Sequence, residues 1–412
     1  MLTLRKSVVA IIIVLSTSTG AFAADNITNA FKETRISGEF RSYFFQRDFD
    51  GGTTDQEDFA IGGRLHLETG SISGISAGVS FYTSQGMGLN DENKRVYNLL
   101  AKDENGKHKS YTALGELYFL GDFGKTTVKV GRHEMRTPWV HLYDIRITPQ
   151  SFEAVVLRNK SVPDLEIVAG HVTKIKKRTD TTFMYMSKAA GAAQKEPVTL
   201  GGITYSGIKG LRLQLWDYYA HEMWNDIYLR ADFNRKINDN LSLFGNARYL
   251  DRRDVGDQII GPLDTYMFGV GGGLRAHGAT LTLEYGKNGN QPILRPWGHD
   301  LAVSIQVHVA DRAEEEAWGP RLAYDFGEIG LKGLSGGVIY VDFNTPDSGV
   351  NASPDRDEIN FDLQYEFSGS LQGLIIRARY AIIDEDETVN GEDFGDFRFY
   401  LRYKFSFDPV AT

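Results

Sequence analysis

Residues 397–407 read FRFYLRYKFSF, and every odd-numbered position is apolar or aromatic: Phe397, Phe399, Leu401, Tyr403, Phe405 and Phe407. Arg398, Tyr400, Arg402, Lys404 and Ser406 fill the positions between. Side chains alternate between the two faces of a β-strand, so one face is an aromatic wall and the other a column of cations. The first face needs an apolar medium and the second needs water. The same period recurs from end to end. Ile36, Gly38, Phe40 and Phe44 alternate with Glu39, Arg41 and Tyr43; Phe59, Ile61, Leu65 and Leu67 with Arg64 and His66. Ile227, Leu229, Ala231 and Phe233 oppose Asp226, Tyr228, Arg230 and Asp232, and Ile359, Phe361, Leu363, Tyr365 and Phe367 oppose Asn360, Asp362, Gln364 and Glu366. A helix would repeat every 3.6 residues instead.

About eighteen such segments are present, each near the ~9–11 residues that a tilted strand needs to cross a bilayer. Their centres fall near Phe40, Leu65, Val79, Glu116, Val128, Val155, Ala169, Ile203, Leu213, Leu229, Gly245, Phe268, Leu283, Ala323, Ile339, Leu363, Ala378 and Leu401. Two stretches, around Tyr266 and Leu301, fit the period less clearly. Short links at 69–74, 121–124, 206–210, 235–240, 275–278 and 368–373 alternate with long polar ones at 46–58, 84–110, 133–150, 175–195, 287–316, 344–357 and 384–396. A short link near Ala220 to Met223 breaks the rhythm. An up-and-down sheet trimmed at one end and elaborated at the other is the pattern of an all-β, antiparallel transmembrane β-barrel. A secreted β-sandwich or lectin-like fold would share the alternation, but not the rhythm of the connections.

Composition agrees. Arg5 and Lys6, the apolar run Val8 to Leu15 and the Ala21-Phe22-Ala23 site make residues 1–23 a secretory signal peptide. The run is too short for a spanning helix, which needs ~20 residues. One barrel domain is expected over 24–412. Without the signal, 43 cations stand against 54 acids, a net charge of −11, which argues against nucleic acid. There is no cysteine, so no disulfide or thiolate metal site is available; 44 Gly, 20 Tyr and 24 Phe suit a glycine-punctuated β protein. No cofactor and no metal are expected.

A cation turned to lipid at mid-membrane costs roughly 2–4 kcal/mol, so the parity of each strand sets its direction. It turns Arg41, Arg64, Arg230, Arg248, Arg321, Arg377, Arg379, Arg398, Arg402 and Lys404 towards the lumen. Singly, each reads more readily as a solvated or salt-bridged pore residue. Together, Arg377 and Arg379, Arg398 and Arg402, and by closure Arg41 and Arg64, form a basic wall. The acids crowd into 50–58, 312–318 and 384–396 instead. A carboxylate ~4 Å from one guanidinium gains about 1 kcal/mol in water and about 4 where water is partly excluded, and several such weak sites suit transport.

Between the fifth and sixth segments lies GRHEMRTPWVHLYDIRITPQSFEAVVL (131–157), whose Trp139, Val140, Leu142, Tyr143, Ile145 and Ile147 are unusual in a surface loop. Folding inward would hide them and narrow the pore; packing on neighbouring outer loops is the alternative. The G-R-x-x-x-x-T-P run, the D-x-R-x-x-P-x-x-F-E-A run, VPDLEIVAGHV (162–172), RPWGHDL (295–301) and the last aromatic strand together resemble OprD-type outer-membrane porins. The resemblance implies eighteen strands, a third loop folded into the lumen, Asp144 and Arg146 at a constriction, and an arginine ladder for small carboxylates such as amino acids or aromatic acids. The chain departs from the pattern by continuing past Phe407 with DPVAT.

The resulting expectation is a substrate-preferring pore in the outer membrane of a Gram-negative bacterium, not an enzyme. Its expected partners are small anionic solutes, outer-membrane lipid and lipopolysaccharide, and the barrel-assembly machinery during insertion, with the barrel a monomer or loose trimer. An unselective porin of the same architecture is the runner-up. A barrel enzyme is third: His66 and His171 lack a nucleophile's context, and His133/Glu134 lacks a spaced second histidine.

Overall fold

The computed structural model describes residues 26–408; the signal-peptide stretch 1–23 and residues 409–412 lie outside the described residues. Eighteen long strands run in chain order: β1 Arg35–Phe49, β2 Gln56–Glu68, β3 Ile75–Gln85, β4 Tyr111–Asp122, β5 Thr126–His133, β6 Ser151–Asn159, β7 Leu165–Lys176, β8 Val198–Ile208 and β9 Leu211–Ala220. The second half is β10 Trp224–Lys236, β11 Leu241–Asp254, β12 Asp264–Ala276, β13 Ala279–Asn288, β14 Glu316–Asp325, β15 Leu334–Asn344, β16 Arg356–Glu366, β17 Leu374–Glu385 and β18 Phe394–Phe407. Each pairs antiparallel with its neighbours in the chain, and β18 returns to β1 with Ile36 opposite Phe407 and Phe49 opposite Phe394. Among the described residues closure leaves the barrel no unpaired strand edge, the condition for a sheet to sit in hydrocarbon.

All eighteen segments anticipated from alternation fall within these strands. The Tyr266 stretch belongs to β12. The Leu301 stretch is not a strand but part of the loop 289–315. The first outer connection is shorter than expected, 50–55, because Gln46 to Phe49 continue the ladder against β18. Side-chain direction follows parity. On β18, Phe399, Tyr403, Phe405 and Phe407 are exposed on the outside, whereas Arg398 is 2% exposed. Phe40, Leu65, Phe361 and Leu363 are exposed likewise, and Arg41 is buried inside.

The loop 134–150 folds inward, as expected of the third loop. Asp144 meets Arg41 on β1, while the Trp139 amide donates to the Tyr218 hydroxyl on β9 at 3.3 Å. Strands β1 and β9 lie half-way round the barrel from each other, so this loop crosses the lumen. Burial accounts for Trp139, Val140, Leu142 and Ile147; Ile145 is the exception, 41% exposed and facing a cavity. A second loop, 289–315, also enters the barrel, and glycine permits it. A Cβ on Gly269 or Gly286 of the inner wall would stand 2.5 or 2.6 Å from Ala302 Cβ, and one on Gly298 would stand 2.8 Å from His141 Cβ.

Candidate functional site

The two inward loops divide the lumen. On the side of β6 to β15, Trp139, Trp216, Trp224, Trp297, Tyr218, Tyr228 and Met267 belong to one buried apolar cluster. The loops are also tied together there. The His141 amide donates to the Trp297 carbonyl at 2.9 Å, and the Trp297 indole donates to the Met186 carbonyl at 2.9 Å. This half is filled.

On the side of β16, β17, β18 and β1 a cavity of about 380 Å³ stays open. Eight arginines line it: Arg41, Arg146, Arg178, Arg295, Arg377, Arg379, Arg398 and Arg402. Among the described residues Asp144 is the single carboxylate in that lining, and Tyr43, Tyr97, Tyr143 and Tyr400 supply aromatic surface. Ile305 and Val307 of the loop 289–315 complete the wall. Towards the short-turn end a wider vestibule of about 670 Å³ follows, lined among others by Glu39, Arg64, Lys129, Glu134 and Lys404.

The two spaces meet at an ion network. Arg41 pairs with Asp144 at 2.6 Å and with Glu39 at 2.6 Å, and it also donates to the Arg146 carbonyl at 2.5 Å. Arg64 pairs with Glu134 at 2.7 Å and reaches Glu39 at 3.5 Å and Asp144 at 3.7 Å. Burial alone would raise the Asp144 carboxyl, but the hydrogen bond and charge of Arg41, with Arg64, hold it below the usual carboxylate range. The loop tip is thereby fastened to the wall as an anion among cations.

The arginines expected in the lumen therefore fall into three groups. Arg41, Arg377, Arg379, Arg398 and Arg402 line the cavity together with Asp144 and Arg146. Arg64 and Lys404 line the vestibule. Arg230, Arg248 and Arg321 face inward but do not reach the cavity. Arg230 and Arg248 clasp Asp300 at 2.5 and 2.9 Å, and Arg321 pairs with Glu284 at 2.5 Å and donates to the Ser304 carbonyl at 2.8 Å. They hold the loop 289–315 in place.

Strand parity has nothing to say about the loop residues. Arg178 and Arg295 enter the cavity from the loops 177–197 and 289–315, and Tyr97 from the loop 86–110. The Tyr97 ring stacks on Phe45 at 3.7 Å, and its hydroxyl accepts from Arg146 at 3.2 Å and Arg47 at 3.4 Å. Asp58 pins the segment by accepting from the Tyr97 and Leu99 amides at 2.9 and 2.8 Å. Arg178 is pushed down to about 10 by burial and by the nearby charge of Arg146. The one signal available beforehand was apolar content: Trp297, Leu301, Val303 and Ile305 are as odd in a solvated loop as Trp139 and Val140.

An eighteen-stranded barrel with an apolar exterior and a charged, loop-narrowed lumen is an outer-membrane channel of the porin class. Residues 29–407 match the family model described as outer membrane porin, OprD family. Porin D of Pseudomonas aeruginosa is 22% identical over 397 residues, 89% of each chain. The crystal structure of P. aeruginosa OccK9 (OpdG) is similar at a TM-score of 0.84 and 21% identity, over 92% of this chain and 100% of the other. A BenF-like porin from Pseudomonas fluorescens Pf-5 gives 0.82 at 18% identity, and P. aeruginosa OpdK with vanillate gives 0.78 at 21%, each over 92% of this chain and 100% of its own. The chain belongs to the OprD family, and is thus a porin of the Gram-negative outer membrane.

Proposed function

We propose that this porin passes small carboxylate-bearing solutes, amino acids and aromatic or other organic acids among them, down their gradient through the arginine-lined cavity. The observation that carries the reading is the lining itself, eight guanidiniums against one carboxylate. Guanidinium presents paired N–H groups that match the two oxygens of a carboxylate, which a chloride or a neutral sugar does not exploit. Tyr43, Tyr97 and Tyr400 give an aromatic acid a flat apolar surface, and the vanillate of the OpdK structure is an acid of that kind. Contacts in partly hydrated space are individually weak, so the solute is held and released in steps.

Reversal potentials in planar bilayers test the reading. Anion preference is expected, with the small open-channel current blocked by benzoate at millimolar concentration. A pore with permeation set by size alone, insensitive to benzoate, would be an unselective porin instead.

A further inference from the structure

The eight arginines of the cavity differ in what already neutralises them. Arg41 pairs with Asp144 and Glu39, Arg295 with Asp311 at 2.5 Å, and Arg398 with Asp396 at 2.6 Å. Arg377 and Arg379 share Asp362, and Arg402 reaches Glu39 at 3.5 Å. Arg146 and Arg178 stand apart: among the described residues no carboxylate lies within ion-pair distance of either. Arg146 donates to the Ile145 carbonyl at 3.0 Å and to the Tyr97 hydroxyl at 3.2 Å. The Arg178 guanidinium lies 4.8 Å from the centre of the Tyr143 ring. The Nε of each is buried with no hydrogen-bond partner.

Their positions are coupled through the backbone. The Thr148 hydroxyl donates to the Arg178 carbonyl at 2.7 Å, and the Tyr111 hydroxyl donates to the same carbonyl at 3.0 Å. The start of the loop 177–197 is therefore fixed to the loop 134–150 two residues beyond Arg146. Two cations lacking counter-charges are held in one cavity by separate loops.

We propose that Arg146 and Arg178 form a two-cation receptor that selects doubly charged carboxylates, so that a dicarboxylate binds the cavity more tightly than a monocarboxylate of like size. This rests on the carboxylate reading above and narrows it. Each buried guanidinium favours an anion that accepts its free N–H groups. One dianion supplies both charges for a single loss of translational freedom, whereas two monoanions lose it twice. The remaining six arginines already have acids beside them and add less discrimination between one charge and two.

The test compares current block by terephthalate and benzoate at neutral pH, with the full-length channel in planar bilayers. The half-blocking concentration of terephthalate should be lower by about tenfold, a difference of about 1.4 kcal/mol. In Arg178→Gln and Arg146→Gln channels that difference should shrink to about twofold or less while benzoate still blocks. Arg253→Gln removes the same charge at an exposed position outside the cavity and should keep the preference. Single-channel conductance in plain salt shows that each variant is folded. Equal block by the two acids in the parent overturns the receptor, as does a preference that survives both glutamine variants or is lost equally in Arg253→Gln. Block by neither acid, without anion preference, removes the carboxylate reading itself.

Discussion

The two halves of the lumen begin from the same rule and end differently. On β10 and β11, parity turns Arg230, Arg248 and Arg252 inward, as it turns Arg377, Arg379 and Arg398 inward on β17 and β18. In the first half the loop 289–315 brings Asp300 to two of them, and Arg252 donates to the Leu294 carbonyl at 2.7 Å while pairing with Asp226, both side chains 1% exposed. Those cations fasten loops over a tryptophan-rich core. In the second half the loops deliver Ile145, Ile305, Val307 and three further arginines, Arg146, Arg178 and Arg295. The guanidiniums there border a cavity, even though Arg41 and Arg398 are nearly as buried as Arg252. What a pore arginine does is therefore decided by which loop comes to rest against it.

The largest effect follows from removing the partition. Deleting residues 137–147 takes away Trp139 and Asp144 together, and single-channel conductance should rise by a factor of about two or more towards that of an unplugged barrel of this size. A conductance no larger than the parent's would show that this loop does not narrow the pore. Next, Asp226→Ala leaves Arg252 buried without its partner and should cost about 3–5 kcal/mol in denaturant titrations. Asp362→Ala, beside the more exposed Arg377, should cost about 1 kcal/mol or less. Equal losses would erase the distinction between a fastened half and a wet one.

Within the open half, reversing Arg398 and Arg402 to Glu should lower the anion-to-cation permeability ratio about thirtyfold, since each reversed charge is worth about 1 kcal/mol at water-like dielectric and the two together about 2. Unchanged reversal potentials would take both out of the pathway. Asp144 has a depressed folded-state value, so its contribution is fully present above the unfolded value of about 3.9 and is lost as pH falls through the folded one. The thermal midpoint of the parent should therefore exceed that of Asp144→Asn at pH 6, and the gap should close as the pH falls below about 3.9. Convergence already at neutral pH would mean that the Arg41 pair does not hold the loop. The smallest effect belongs to Tyr97→Phe. Loss of one hydroxyl acceptor, about 0.5–1.5 kcal/mol, should weaken benzoate block several-fold with conductance unchanged.

Most of the barrel could be read residue by residue. Phe397 to Phe407 could face lipid on only one side, and the same holds for Phe40 against Arg41 and Leu363 against Asp362. The strand ends were less legible: Gln46 to Phe49 look like loop, yet pair with β18 above the apolar belt. In the lumen, Arg41, Arg377, Arg398 and their neighbours could be placed on the wall but not sorted by role. Arg178, Arg295 and Tyr97 were invisible, because a loop residue has no periodicity to give it a direction.

The sequence by itself determined the sheet, its inside and its outside, because a two-residue repeat facing hydrocarbon on one side and water on the other has a single favourable orientation. Tertiary structure decided which half of the lumen is filled and which arginines border the cavity. That choice depends on contacts such as Asp300 with Arg230, Trp297 with Trp224 and Asp144 with Arg41. These join residues tens to more than a hundred positions apart, and no local pattern encodes where a long loop will find its partners.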